Sequence, residues 1–228
     1  MTKIRMKEGS KGCRRCGTCC EKGGPALHES DLGLLERGAI PLSCLVTYRL
    51  GETVRDDIKG ILAPLDGEIV KIKSVAGGSA CVFYKGKRKG CGIYGERPLE
   101  CRLLNCRDTS AIEAAYSKDR LARADILTKN EKLLKLAIAH EERCSMLKIA
   151  RLAADLSGPG GTAAADELLD LLQYDHFMRP FLVQKANIPE NMLEFLFGRP
   201  LSGAIAGLGL AVKREGNRFT LCPWYDIS

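Results

Sequence analysis

Four cysteines within eight residues, Cys13-Arg14-Arg15-Cys16-Gly17-Thr18-Cys19-Cys20, constrain this chain more than any other stretch. The C-x2-C-x2-C spacing keeps several soft thiolates within a few ångströms of one another. That suits zinc or an iron–sulfur cluster rather than a hard cation. A second set follows at Cys81, Cys91, Cys101 and Cys106. Together they make the eight thiolates that two four-thiolate sites require. The chain has 228 residues and eleven cysteines, an odd number. A chain of that length buries a core without covalent staples, so metal binding is the expected use of its thiols, in a reducing, cytoplasmic setting.

Charge follows the cysteines. Residues 1–108 hold 20 Lys and Arg against 13 Asp and Glu, whereas residues 109–228 hold 15 of each, so the whole net charge of +7 sits in the cysteine-rich half. A nucleic-acid surface has that bias, but so does a protein that must offset about two negative charges per four-thiolate zinc or cluster. The basic tip Lys85-Gly86-Lys87-Arg88-Lys89 could touch phosphate, yet it lacks the interleaved aromatics of a single-strand binder. A protein partner of unspecified kind is expected, nucleic acid stands as the lesser alternative, and membrane is not a partner. The N-terminus is basic, but Glu8-Gly9-Ser10 follows it with no apolar run, so neither a secretory signal nor a membrane span is expected.

Along the chain, Ser30 or Asp31 starts a first helix that runs through Leu34 and Leu35 to Gly38. Residues 42–76 are strand-rich, with β-type runs at Leu45-Val46-Thr47-Tyr48 and Ile69-Val70-Lys71-Ile72 and a turn at Asp66-Gly67. Cys81-Val82-Phe83-Tyr84 and Cys91-Gly92-Ile93-Tyr94 form two short strands of a hairpin closed by the basic tip. Pro98 takes the favoured first position of the next helix. From Thr109 to Leu156 the pattern predicts two helices with a break near Thr128. Their buried stripe runs through Ile126/Leu127, Leu133/Leu134 and Ala137/Ile138, then Leu147, Ala150 and Ala153. Ser157-Gly158-Pro159-Gly160-Gly161 breaks the chain. A further helix carries Leu168, Leu169, Leu171 and Leu172, a short one spans Pro189 to Gly198, and a β-hairpin turns at Glu215-Gly216-Asn217. The fold class is α+β: a cysteine-rich metal-binding N-terminal half with short strands and hairpins, packed against a mainly helical C-terminal half. Two units follow, a cysteine-cluster domain at 1–108 and a mainly helical region at 109–228 ending in a β-hairpin.

Spacing assigns the thiols further. Cys19 and Cys20 are adjacent, so their side chains diverge by about 100° in a helix or about 180° in a strand, and they are not expected to chelate one ion together. Cys13, Cys16 and Cys20 fit one helical face. Cys101 occupies a first helical turn, where the dipole favours a thiolate, and Cys106 would lie about 140° further round a regular helix. The metal set is therefore Cys13, Cys16, Cys19, Cys20, Cys81, Cys91, Cys101 and Cys106, one eight-cysteine system in two halves. Cys44 and Cys222 read as small core residues, although Cys222-Pro223 echoes a ferredoxin ending. His140 and Cys144 stand at i, i+4, but the second histidine of a metalloprotease motif is missing, so both read as core or surface.

At these residues the chain resembles the cysteine-cluster family (CxxCxxCC, YkgJ-like), a zinc- or iron-chelating domain. The resemblance rests on Cys13 to Cys20, on Cys81-Val82-Phe83-Tyr84, and on Cys91-Gly92-Ile93-Tyr94-Gly95-Glu96-Arg97-Pro98-Leu99-Glu100-Cys101-Arg102. It covers about residues 10–108 and implies a metal-chelating module. The C-x2-C-x2-C spacing is that of ferredoxin-type clusters, and the second block lacks the C-x2-C knuckle that structural zinc more often uses. An iron–sulfur cluster, of the 4Fe-4S kind, in a redox or structural role is the first reading. A structural zinc adaptor or nucleic-acid-binding protein is the second, and a metalloenzyme with an open ligand position is the third. No substrate, general base or cofactor loop is legible, so an activity is left open.

Overall fold

The computed structural model describes residues 15–86 and 90–227, and the expected ligand Cys13 and most of the basic tip (Lys87, Arg88, Lys89) lie outside them. The β-branched and aliphatic runs pair as expected. β1 (Leu45–Tyr48) lies antiparallel to β4 (Ile69–Ile72), in register Leu45↔Ile72 and Thr47↔Val70. Between them β2 (Thr53–Asp56) and β3 (Ile61–Pro64) form a hairpin. Before them come α1 (Thr18–Glu21) and α2 (Leu32–Glu36), the latter entered from Asp31 and stopped at Gly38, which takes φ 74°.

β5 (Tyr84–Lys85) and β6 (Gly90–Cys91) make the second-block hairpin, shorter than its sequence suggests and paired Tyr84↔Cys91. The chain then runs through α3 (Leu99–Leu103), α4 (Ser110–Ala115), α5 (Arg123–Ile126), α6 (Glu131–Arg143), α7 (Met146–Asp155) and α8 (Gly161–Ala186). It ends in α9 (Leu193–Phe197), α10 (Leu201–Ala204) and the hairpin of β7 (Leu210–Glu215) and β8 (Arg218–Pro223). Helices and short antiparallel strand pairs together make the protein α+β.

Two expectations about residues 109–156 are corrected. Four helices stand where two were expected, and long-range pairing explains the extra breaks. After α4 the chain turns through Asp119 (φ 51°) and leaves helical geometry to bridge His28↔Arg120, while the Leu121 amide donates to Leu27 and the Leu121 carbonyl accepts from Val70. Backbone pairing with the sheet there outweighs local helical preference. At the second break the Cys144 carbonyl accepts from the buried Arg49 guanidinium at 3.1 Å, and α7 begins two residues later. The buried face of α7 is Met146, Ile149 and Leu152, one residue out of phase with the expected stripe, and Leu147 is exposed. That phase is set by α8, whose Leu168, Leu171 and Leu172 share its apolar cluster.

Burial falls into two clusters. One joins Leu27 and the strand residues Leu45, Val70 and Ile72 to Leu121, Leu127 and the α9 residues Phe195, Leu196 and Phe197. The other joins α7, α8 and α10. At 25 cal/mol per Å2 each fully buried Leu, Ile or Phe contributes about 1.5–3 kcal/mol, and Cys81 belongs to the strand cluster. Thr47 Oγ1 donates to the Phe195 carbonyl at 2.6 Å, tying β1 to α9 within it.

Candidate metal centre

The cysteine segments are fastened to one another by backbone. Gly17 holds φ 88° and starts α1, which carries Cys19 and Cys20. The Cys81 amide donates to the Cys20 carbonyl at 2.7 Å, so the two cysteine blocks share a direct hydrogen bond. Ser79 Oγ donates to the Glu21 carbonyl at 2.7 Å and Tyr84 Oη donates to Glu21 Oε1 at 2.9 Å. Cys81 itself is buried and bridges Ser74. Cys91 stands opposite Tyr84 in the hairpin, and Cys101 lies in the first turn of α3.

α3 is held from its N-terminal end. The Leu99 amide donates to Asp31 Oδ1 at 2.9 Å, and the fully buried Asp31 also accepts from the His28 amide at 3.1 Å through Oδ2. Glu100, next to Cys101, accepts from the Ala26 amide at 2.8 Å and faces His28 Nε2 at 3.3 Å. His28 Nδ1 lies 2.7 Å from the Lys118 carbonyl. That network fixes the helix start and leaves its carboxylates and imidazole committed to one another and to backbone amides.

The thiols of the two blocks influence one another's protonation. Burial, then the neighbouring Cys19, Cys91 and Cys81, push the Cys20 thiol up to about 12. Burial followed by Cys81, Cys19, Cys20 and Cys91 drives Cys101 up as well, and burial, Cys91, Cys44 and Cys19 raise Cys81. Groups that raise one another's pKa in this way compete for negative charge, and a bound cation relieves all of them at once. Among the described residues, however, no three His, Cys, Asp or Glu side chains stand close enough to hold one ion. The chemistry of the donor set, all soft thiols, fits zinc and iron.

Cys19 and Cys20 depart from their expected divergence: their sulfurs lie 4.0 Å apart. Diverging Cα–Cβ bonds do not fix the sulfurs, because each Sγ swings about χ1. Two thiolates on one tetrahedral zinc at 2.3 Å would be about 3.8 Å apart, so this pair is spaced for a single ion. The shared helical face of Cys16 and Cys20 is also corrected, since α1 begins at Thr18 and Cys16 precedes the left-handed Gly17. Cys16 is exposed, with Sγ 3.5 Å from Thr18 Oγ1, a hydrogen bond that lowers its pKa. Cys106 is exposed in the turn after α3.

Sequence reasoning missed three contributors. Cys44 acts on Cys81, and the signal was its place immediately before β1, whose partner β4 leads to Cys81 (the Lys73 amide donates to the Cys44 carbonyl at 2.8 Å). Tyr84 is the latch to Glu21 described above. Tyr94 carries the guanidinium groups of Arg15 and Arg97 at 3.8 and 3.7 Å from its ring centroid, which places two positive charges on the ring three residues from Cys91. His140 and Cys144 are core: both are buried, and His140 pairs with Asp175 at 2.8 Å. Cys222 lies in β8 with Sγ 3.7 Å from the Ala211 carbonyl.

Residues 12–118 match the model of the CxxCxxCC family, described as a "putative zinc- or iron-chelating domain". No curated protein and no solved structure matches the chain.

Proposed function

We propose, taking the CxxCxxCC domain at residues 12–118 as premise, that this metal-chelating cysteine protein holds an iron–sulfur cluster in a redox or structural role. The observation that carries the reading is the joining of the two cysteine blocks, the Cys81 amide donating to the Cys20 carbonyl at 2.7 Å, with Cys19, Cys20, Cys81, Cys91 and Cys101 near enough to shift one another's protonation. The run from Cys13 to Cys20 has ferredoxin-type spacing. When bound, such a cluster supplies one-electron transfer or a cross-link between segments. The protein's own part is to place the thiols and give up their protons. Arg15 and Arg97 on Tyr94 offset the charge that remains. In this reading residues 1–108 are the metal-binding unit, 109–228 the helical region that supports it, and a reducing cytoplasm keeps the thiols available.

One observation favours a second reading. The 4.0 Å separation of the Cys19 and Cys20 sulfurs suits two ligands of one ion, as in a structural zinc site. Anaerobic purification with elemental analysis and visible spectroscopy decides between them. Brown protein with iron, acid-labile sulfide and thiolate-to-iron absorption supports the cluster; colourless protein with stoichiometric zinc replaces it with the zinc reading.

A further inference from the structure

The cysteine segments carry more positive charge than a metal centre offsets. Residues 13–22 and 81–108 together hold 10 Lys and Arg against 4 Asp and Glu, a surplus of six. One four-thiolate zinc or cluster offsets about two of these, and two such sites about four. The strand-bearing stretch between them, residues 23–80, holds 6 Lys and Arg against 8 Asp and Glu, so the excess follows the cysteines and not the strands.

Within the described residues the cations stand in fixed places around Cys91. Tyr94, three residues on, has the Arg15 guanidinium carbon 3.8 Å and that of Arg97 3.7 Å from its ring centroid. Two guanidinium groups at that height are too wide to share one face, so they cover both. Arg97 is held further: its Nε donates to the Tyr94 carbonyl at 2.9 Å, and its own carbonyl accepts from Arg102 Nη1 at 2.8 Å. Lys85 lies over the residue next to Cys91, since a Cβ built on Gly92 would meet its Cε at 3.1 Å and its Nζ at 3.7 Å. Arg15, Lys85 and Arg102 are exposed. Three of the four acids of these segments are engaged elsewhere. Glu100 is buried against His28 and the Ala26 amide, Glu96 takes Arg37 at 2.8 Å, and Glu21 accepts from Tyr84.

We propose that this face docks the acidic surface of a partner protein, with carboxylates meeting Arg15, Lys85 and Arg97 beside Cys91. The docking face is the face of the metal centre, so it depends on the metal reading above, whichever of the two metals is held. Stacking occupies the flat face of a guanidinium and leaves its N–H edge for a carboxylate, and a side chain already held in place loses less freedom on binding. Charge of one sign around a site also steers an oppositely charged protein to it and fixes the direction of approach. A nucleic-acid single strand needs an open aromatic face to stack on, and both faces of Tyr94 are taken. A lipid surface favours large apolar side chains that insert, and none is exposed in the described parts of these segments.

The test uses the metal-loaded full chain, its metal content measured beside each titration, with fluorescein-labelled poly-L-glutamate as the acidic probe. Binding is read by anisotropy at an ionic strength of about 0.1 M, where the screening length is about 10 Å. Arg15→Gln/Lys85→Gln is compared with Lys129→Gln/Lys135→Gln, which removes the same charge from exposed lysines of the helical half. The first pair is expected to weaken binding about tenfold and the second less than about twofold, at equal metal content. Equal losses from the two pairs, or no binding of polyglutamate at that salt, overturns the proposal. So does binding of duplex DNA that depends on Arg15 and Lys85 while polyglutamate is ignored, since the face is then a nucleic-acid surface. A parent chain that takes up no metal overturns the metal reading and this one together, whereas equal losses in a loaded chain overturn this one alone.

Discussion

Replacing Gly17 by alanine tests the architecture of the centre through a residue that ligates nothing. Gly17 sits at φ 88°, and a Cβ built there would overlap the Tyr84 ring, with Cε2 and Cζ at 2.7 Å. The left-handed conformation costs a residue with a Cβ about 1–2 kcal/mol. The clash is met by the far end of a movable side chain, so Tyr84 swings away and its hydrogen bond to Glu21 is lost with it. If the strain sits in the metal-competent arrangement, that backbone cost alone lowers metal affinity about 5- to 30-fold. Competition with a chromophoric chelator reads the affinity, and thermal unfolding of the metal-free protein reads the fold. Tyr84→Phe, which keeps the ring and drops the hydroxyl, should show a smaller loss. Unchanged affinity in Gly17→Ala, at a melting temperature equal to the parent's, would show that the turn does not position Cys19 and Cys20.

Three further outcomes are expected. Cys81→Ser and Cys101→Ser should each reduce metal content by about half or more, whereas Cys144→Ser and Cys222→Ser should leave it unchanged; equal losses from all four would contradict the assignment of Cys81 and Cys101 to the metal set. Asp31→Ala removes the acceptor of the Leu99 and His28 amides and should cost about 1–2 kcal/mol in denaturant unfolding, with metal affinity falling in parallel; a loss under 0.5 kcal/mol, on the same scale, refutes its role. Acid should unfold the helical half in two stages. His140 and Asp175 both have lowered pKa values in the fold, so each gives stability that is present above its unfolded value and lost as pH falls, first below about 6.5 and then below about 3.9. His28, raised by its bond to Glu100, acts with the opposite sign, its contribution being lost as pH rises through its folded value. His140→Gln should therefore flatten the fall in stability as pH drops below about 6.5, and His28→Gln should flatten the loss that sets in as pH rises above about 6.5; identical profiles in the two variants would contradict the assignment.

How much was legible in the sequence depends on the reach of the interaction that fixes each part. β1, β4, the break at Ser157–Gly161 and the C-terminal hairpin follow from local composition and punctuation, and they stand where expected. The split of the 109–156 stretch did not, because its first break is made by Leu121 pairing with Leu27 and Val70, partners far away in the chain. The same limit applies at the centre. Cysteine spacing marks Cys19, Cys20, Cys81, Cys91 and Cys101, yet only the folded chain brings Cys44 beside Cys81, and only side-chain torsion sets Cys19 and Cys20 at 4.0 Å. Buried pairs such as His28–Glu100 and His140–Asp175 lie 72 and 35 residues apart, a separation at which no pattern is visible.

The hydrogen bond from the Cys81 amide to the Cys20 carbonyl changes what metal uptake has to accomplish. Closing a loop of that span in a flexible chain costs about 4 kcal/mol of entropy by the logarithmic law, and here the fold of the strands has met that cost before any ion arrives. The thiols of the two blocks are thus at high effective concentration toward each other. Destabilising substitutions in β1 and β4, at residues that ligate nothing, should then register first as weakened chelation, because they dilute the second block from the first.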